Sequence, residues 1–146
     1  MIRLILTSAV LVAATVVTHS FGIALTFSFL RRKGPPAEPR HAAWLLIRVA
    51  WLLIVFHLIE IAIWGEFYRW VGCMNDLGSA FYFSGVTYTT VGYGDLLLPP
   101  RWRILGPVEG LTGILTCALS ASIFFAINWK LYSSIKVSAF PQHWKQ

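Results

Sequence analysis

Residues 4–30 contain no Asp, Glu, Lys or Arg, and the run stops at Arg31-Arg32-Lys33. About 20 apolar residues in a helix cross the hydrocarbon core of a bilayer, so a run of this length leaves few soluble folds open. Two further stretches, 42–64 and 105–130, are similarly long and apolar. Charged residues make up 12% of the 146-residue chain, about half the share usual in soluble domains. The expected fold class is therefore an all-α membrane protein with three transmembrane helices. A cleavable signal peptide is the alternative for the first run. It would want a basic start, an apolar region of about 7–15 residues and small residues before a cut. Here only Arg3 precedes the run, which is too long, and the charges follow it.

The segment 31–41, RRKGPPAEPRH, reads as a basic linker, because three prolines and a glycine break any continuous helix. Between the second and third runs lies a shorter apolar helical pattern, 79–89, with Asp76 before it as a cap. That piece is too short to cross. Basic residues set the orientation. Arg31, Arg32, Lys33, Arg40, Arg48, Lys130, Lys136 and Lys145 fall on the side of the linker and the C-terminal tail, against Arg3, Arg69, Arg101 and Arg103 on the other. The expectation is an integral protein of the plasma (inner) membrane with its amino terminus outside and its carboxyl terminus cytoplasmic. Trp44 and Trp129 would mark the inner interface, and Trp64, Trp70 and Trp102 the outer one. Glu60, Glu66, Asp76, Asp95 and Glu109 fall toward the outer side.

The forty-odd residues between the last two spans also hold TYTTVGYGD, residues 87–95. In this orientation they form a loop that enters and leaves the membrane from outside. Non-helical backbone at membrane depth survives only where it is buried in protein or lines a wet cavity, since each unpaired peptide group in lipid costs several kcal/mol. A glycine-rich turn between buried helices is one solution; carbonyls given to a dehydrated cation are another.

Thr89-Thr90-Val91-Gly92-Tyr93-Gly94-Asp95 resembles the selectivity filter of the potassium channel pore-domain family. The likeness is to the prokaryotic-type two-span module, covers roughly 42–130 including Pro99, and leaves the first helix as an addition. It implies an outer helix over 42–64, a pore helix over 79–89, a filter over 90–94 and an inner helix over 105–130. The amino-terminal helix (1–30), the linker (31–41) and a short cytoplasmic tail (131–146) complete the domains. The carbonyls of Thr90, Val91, Gly92 and Tyr93, with the Thr90 hydroxyl, would replace the water of K+. Gly92 and Gly94 would take left-handed angles that let successive carbonyls point one way. Thr89, Tyr82 and Phe83 would support the filter, Tyr93 would brace against a neighbour's pore helix, and Asp95 would gather cations at the outer mouth. The pore helix would turn its negative end to the cavity. One loop per chain implies a homotetramer, with the bilayer as the other partner, K+ as permeant ion, no cofactor and no nucleic acid.

Gly106, Gly110 and Gly113 give the third span a small face, suited to close packing. By resemblance Gly113 is also the flexible hinge of the inner helix, with Ile114, Cys117, Ala121 and Phe125 lining the cavity and Phe125 constricting it. Glu109 is either a functional acid or bonds pore-helix backbone, Arg101 or Arg103. His57 and Glu60 share a face of the second span and His19 stands alone in the first; a proton-sensitive gate and a plain helix-to-helix hydrogen bond are both open. The family's pore-helix tryptophan pair is here Tyr82 and Phe83, and its acid behind the filter is Val86, so both struts are expected to be missing. The first span lacks the regular arginines of a voltage sensor. Its threonines and serines (Thr7, Ser8, Thr15, Thr18, Ser20, Thr26, Ser28) suit packing on the second span. The tail after Trp129 is expected to be too short for a nucleotide- or calcium-binding domain.

Cys73 and Cys117 offer neither a disulfide framework nor zinc spacing. Paired carboxylates, a nucleophile with its base and a metal-ligand cluster are absent from the linear pattern, so no enzyme is expected. The resulting expectation is a passive potassium-selective channel. Its rivals are a weakly selective cation channel, against which Tyr93 argues, an active potassium-uptake transporter, usually longer with several degenerate loops, and a non-conducting channel subunit.

Overall fold

The computed structural model describes residues 2–33 and 38–139. They form α1 (Ile2–Lys33), α2 (Pro39–Trp70), α3 (Leu77–Tyr88), a 3-10 turn (Pro100–Trp102) and α4 (Leu105–Ala139), with no strand among the described residues. α1, α2 and α4 supply three candidate spans, Ile2–Arg31, Pro39–Trp70 and Pro100–Leu131. Residues 34–37 and 140–146, and the side chains of Arg32, Lys33, Lys136 and Lys145 counted above, lie outside the described residues.

Each helix end has a local cause. α2 starts with Glu38 in extended conformation and Pro39 in its first turn, where the missing N–H costs nothing. It runs past the expected 42–64 on both sides and ends where Gly72 takes φ +71°. The Gly72 amide donates to the Arg69 carbonyl and the Cys73 amide to that of Tyr68, which is the Schellman pattern that satisfies last-turn carbonyls. α3 begins at Asp76, whose Oδ1 accepts from the Ser79 amide at 2.8 Å, as the sequence led one to expect.

α1 lays one stripe, Leu11, Thr15, His19, Gly22 and Thr26, against the rest of the bundle. At Gly22 the Phe56 ring of α2 packs directly on its backbone, so that a Cβ would sit 2.5 Å from the ring. Thr15 and Thr26 return their hydroxyls to the carbonyls of Leu11 and Gly22, and Thr15 also accepts the Trp64 indole N–H at 2.9 Å. The expected α1–α2 packing of small polar residues is thus realised at those two threonines. Trp64 is 0% exposed; it fills the α1–α2 seam instead of marking the outer interface, because its N–H finds a partner inside the protein. Trp44, Trp70 and Trp129 are exposed.

The interior is layered. One apolar cluster gathers Leu11, Trp64, Tyr68, Met74, Ala80, Phe83, Leu98 and Leu105 around α3. A second gathers Ala42, Leu45, Val49, Leu53, Ile127 and Leu131 at the other end of the helices. Between them in chain order, on every helix, stand His19, His57, Glu60, Tyr88, Thr116 and Ser120, joined by hydrogen bonds. Glu60 is 0% exposed.

Candidate functional site

α3 delivers the loop. Its last residues leave Thr89 as C-cap, with the Thr89 hydroxyl donating to the Gly85 carbonyl at 2.7 Å. Two backbone bonds tie the next residues to the helix end, Thr90 N–H to the Thr87 carbonyl and Gly92 N–H to the Val86 carbonyl, both at 3.0 Å. Beyond Thr89 the backbone reverses hand at every second residue: Thr90 has φ +62°, Gly92 +53° and Gly94 +78°. The glycines meet the sequence expectation; Thr90 does not, since a β-branched residue rarely adopts positive φ. Nothing lies within 4 Å of where a Cβ would project from Gly92 or Gly94, so backbone conformation, not crowding, selects glycine there. Val91 and Tyr93 stand 52% and 72% exposed from the chain.

The supports differ from what the sequence comparison implied. Tyr82 stands where the resemblance implies a tryptophan, yet its hydroxyl donates to Asp95 Oδ2 at 2.8 Å, so a strut between α3 and Asp95 is present with a different donor. That hydrogen bond pushes the Tyr82 phenol above the ordinary tyrosine range. Phe83 is buried edge-on to Tyr68, ring centroids 5.2 Å apart. Val86 contributes its carbonyl to Gly92.

Glu109 is 0% exposed and bonds neither α3 backbone nor Arg101 nor Arg103. Its Oε2 accepts from the Tyr68 hydroxyl at 2.7 Å and its Oε1 from the Ser84 hydroxyl at 2.5 Å. One carboxylate on α4 therefore fastens α2 and α3 behind the loop. Sequence reasoning missed both partners because 41 and 25 residues separate them from Glu109.

α4 continues unbroken through Gly113. A Cβ there would meet the Tyr88 carbonyl oxygen at 2.1 Å, so the glycine admits the end of α3 against α4. This favours the packing reading over the hinge. Ile114, Cys117, Ala121 and Phe125 are all exposed from the chain, as are Leu111, Leu115 and Leu119.

His19 does not stand alone: its Nδ1 lies 2.9 Å from Glu60 Oε1. The Tyr88 hydroxyl donates to Glu60 Oε2 and lies 2.9 Å from His57 Nδ1 and 2.6 Å from the Thr116 hydroxyl. His57 Nε2 is 3.0 Å from the Ser120 hydroxyl. The helix-to-helix hydrogen bond is the alternative realised in the geometry, and it reaches all four helices. The linear pattern showed no metal-ligand cluster, whereas the fold brings His19, His57 and Glu60 within one ligand sphere of each other. Their separation along the chain hid this.

Three apolar helices around a short capped helix, ending in a loop of alternating backbone hand, define a membrane pore module. Residues 49–130 match the family model described as Ion channel, and the chain belongs to that ion channel family, as a potassium-channel-type two-span pore module. Over 86 residues, 54% of the chain, it is 37% identical to the potassium voltage-gated channel protein shk-1 of Caenorhabditis elegans. The match spans 16% of that protein's length. No solved structure matches the chain. Membership in a channel family points to a role in transport, not catalysis.

Proposed function

We propose that the protein is a potassium-selective channel that conducts K+ passively through a homotetrameric filter made of residues 90–94. The observation that carries this reading is the alternation of positive φ at Thr90, Gly92 and Gly94 immediately beyond the C-terminus of α3. Successive carbonyls of an ordinary strand point to opposite sides; reversing the hand at every second residue turns them to one side, where the carbonyls of Thr90, Val91, Gly92 and Tyr93 replace an ion's hydration shell. Asp95, held by Tyr82, stands at the outer mouth. The negative end of the α3 dipole biases the space below toward cations.

One loop cannot encircle an ion, and four copies about one axis do. The exposed apolar face of α4, including Leu111, Ile114, Leu115 and Phe125, is suited to line and pack the centre of such a ring, with Phe125 as the narrowest apolar collar. The basic linker and tail lie in the cytoplasm, the amino terminus outside, and the protein resides in the plasma (inner) membrane. Similarity to a protein named as a voltage-gated potassium channel supports K+ as the ion.

The test is the reversal potential of the purified protein in a planar bilayer with K+ on one side and Na+ on the other. A value near the K+ equilibrium potential, collapsing toward zero in Gly92→Ala, is expected. A value near zero for the unaltered chain identifies an unselective pore and overturns the proposal.

A further inference from the structure

The layer between the two apolar clusters holds a second concentration of chemistry, independent of the loop's ion selectivity. We propose that His19, His57 and Glu60 form a binding site for one divalent transition-metal ion of the Zn2+ class, clamping α1 to α2 behind the end of α3. The three offer ligand atoms all within 4.8 Å of one another. His19 Nδ1 lies 2.9 Å from Glu60 Oε1 and His57 Nδ1 3.6 Å from Glu60 Oε2. Donors about 2.0–2.1 Å from a tetrahedral zinc stand roughly 3.3 Å apart, and the observed separations bracket that spacing. Two imidazoles and a carboxylate suit zinc, copper, nickel or cobalt rather than Mg2+, Ca2+ or K+, which prefer oxygen alone. The Tyr88 hydroxyl, bonded to Glu60 and to His57, or a water stands ready as fourth ligand.

The outer partners strengthen the case. Both histidines turn Nδ1 toward Glu60 and Nε2 toward one hydroxyl, Ser120, at 3.0 Å for His57 and 3.4 Å for His19. A hydroxyl accepts two hydrogen bonds and donates one. If Ser120 accepts from both Nε2–H groups, both Nδ1 lone pairs face the Glu60 carboxylate, and a cation between them makes that arrangement favourable. Second-partner bonds of this kind fix the tautomer of metal-bound histidine.

Without an ion the layer is held by hydrogen bonds alone, with the Tyr88 hydroxyl donating to Glu60. The titratable and charged groups facing the layer are His19 from α1, His57 and Glu60 from α2, Tyr88 from α3 and Cys117 from α4. A divalent ion beside the single Glu60 carboxylate leaves net positive charge in the layer, which the low-dielectric interior opposes.

The experiment uses the tag-free full chain in detergent, stripped with a chelator, titrated with ZnCl2 by calorimetry and with CoCl2 by visible absorption. One ion per chain is expected, with an intense four-coordinate cobalt band and an affinity that weakens on acidification, because imidazole must be unprotonated to bind. His57→Gln is expected to abolish binding and Glu60→Gln to weaken it at least about tenfold, with elution volume and helical circular dichroism retained. Absence of saturable binding, a pale six-coordinate cobalt spectrum, or binding unchanged in a folded His57→Gln overturns the site. Should His57→Gln not fold, the cobalt spectrum and pH slope of the unaltered chain decide the matter alone.

Discussion

At the residue scale the glycines separate into kinds that sequence alone does not distinguish. Gly113 is required by its neighbour: an added Cβ would press on the Tyr88 carbonyl at 2.1 Å, and overpacking of this sort costs about 1–3 kcal/mol. Gly106, four and seven residues from the other two glycines of the same face, has nothing within 4 Å of its Cβ position. Gly113→Ala is therefore expected to lower the thermal midpoint in detergent by several degrees, and Gly106→Ala to leave it unchanged or raise it. Equal effects from the two would dissolve the distinction. Gly92 is a third kind, constrained by φ +53° alone, where alanine costs roughly 1–2 kcal/mol and the readout is selectivity, not stability. The spacing made all these glycines visible; only the approach of α3 to α4 explains Gly113. Tyr82 teaches the converse. Against the family's tryptophan it reads as a lost strut, but a phenol and an indole both donate one hydrogen, and Asp95 accepts either. Tyr82→Phe is expected to keep K+ selectivity while shortening the time that currents persist under steady conditions, and persistence equal to the parent would show that the bond does not hold the mouth.

Among the elements, α2 shows why membrane boundaries are poor guides to helix ends. The polar residues Glu66 and Arg69 mark where apolar character fades, and the expected end at residue 64 follows from them. Backbone hydrogen bonding ignores that boundary and continues to Gly72, where the chain can turn left-handed. α3 was more legible, because a cap is a local signal: Asp76 sits three residues before Ser79, whose amide it accepts. That bond holds the Asp76 carboxyl below the ordinary aspartate range. A depressed pKa in the folded state adds stability at neutral pH and loses it as pH falls through the folded value. Asp76→Ala is thus expected to melt below the parent at pH 7, the gap narrowing as pH falls below the ordinary aspartate value of about 3.9; a gap that stays constant in acid would assign the difference to something other than the cap's charge. The α2–α3–α4 tie depends on a single carboxylate. Glu109→Ala leaves the Tyr68 hydroxyl without its acceptor, while the Ser84 hydroxyl keeps the Ile61 carbonyl at 2.8 Å, a loss of about 1–3 kcal/mol. Tyr68→Phe removes one donor and should cost about 1–2 kcal/mol. Chemical unfolding of both variants measures the ratio.

For the whole molecule, the three spans and the short helix between them were readable from hydropathy and length, and the loop from its motif. The depth-wise layering was not, because hydropathy records how apolar a segment is and not which of its polar residues will meet. His19, Glu60, Tyr88, Thr116 and Ser120 each look incidental on their own helix, and their meeting is a property of the packed bundle. The same applies to the exposed face of α4: Ile114, Leu115 and Phe125 are too apolar for water, and four copies would turn that face inward. Native mass spectrometry is expected to find four chains per particle, and a stable monomer or dimer would remove the closed ring from which conduction is argued.

The buried polar layer has a mechanical corollary. A helix that slid along its axis by one turn would break all the bonds it contributes to the layer, which opposes axial sliding, while rocking about that level stretches them least. On the far side, by contrast, the helices meet through apolar contacts around a cavity of about 630 Å³ lined by Phe27, Leu30, Leu45, Ser122, Ile123 and Ile127. The bundle is built like a pair of shears: riveted at mid-height, firm above the rivet where Glu109 fastens three helices, and held below it by apolar contacts that have no fixed direction.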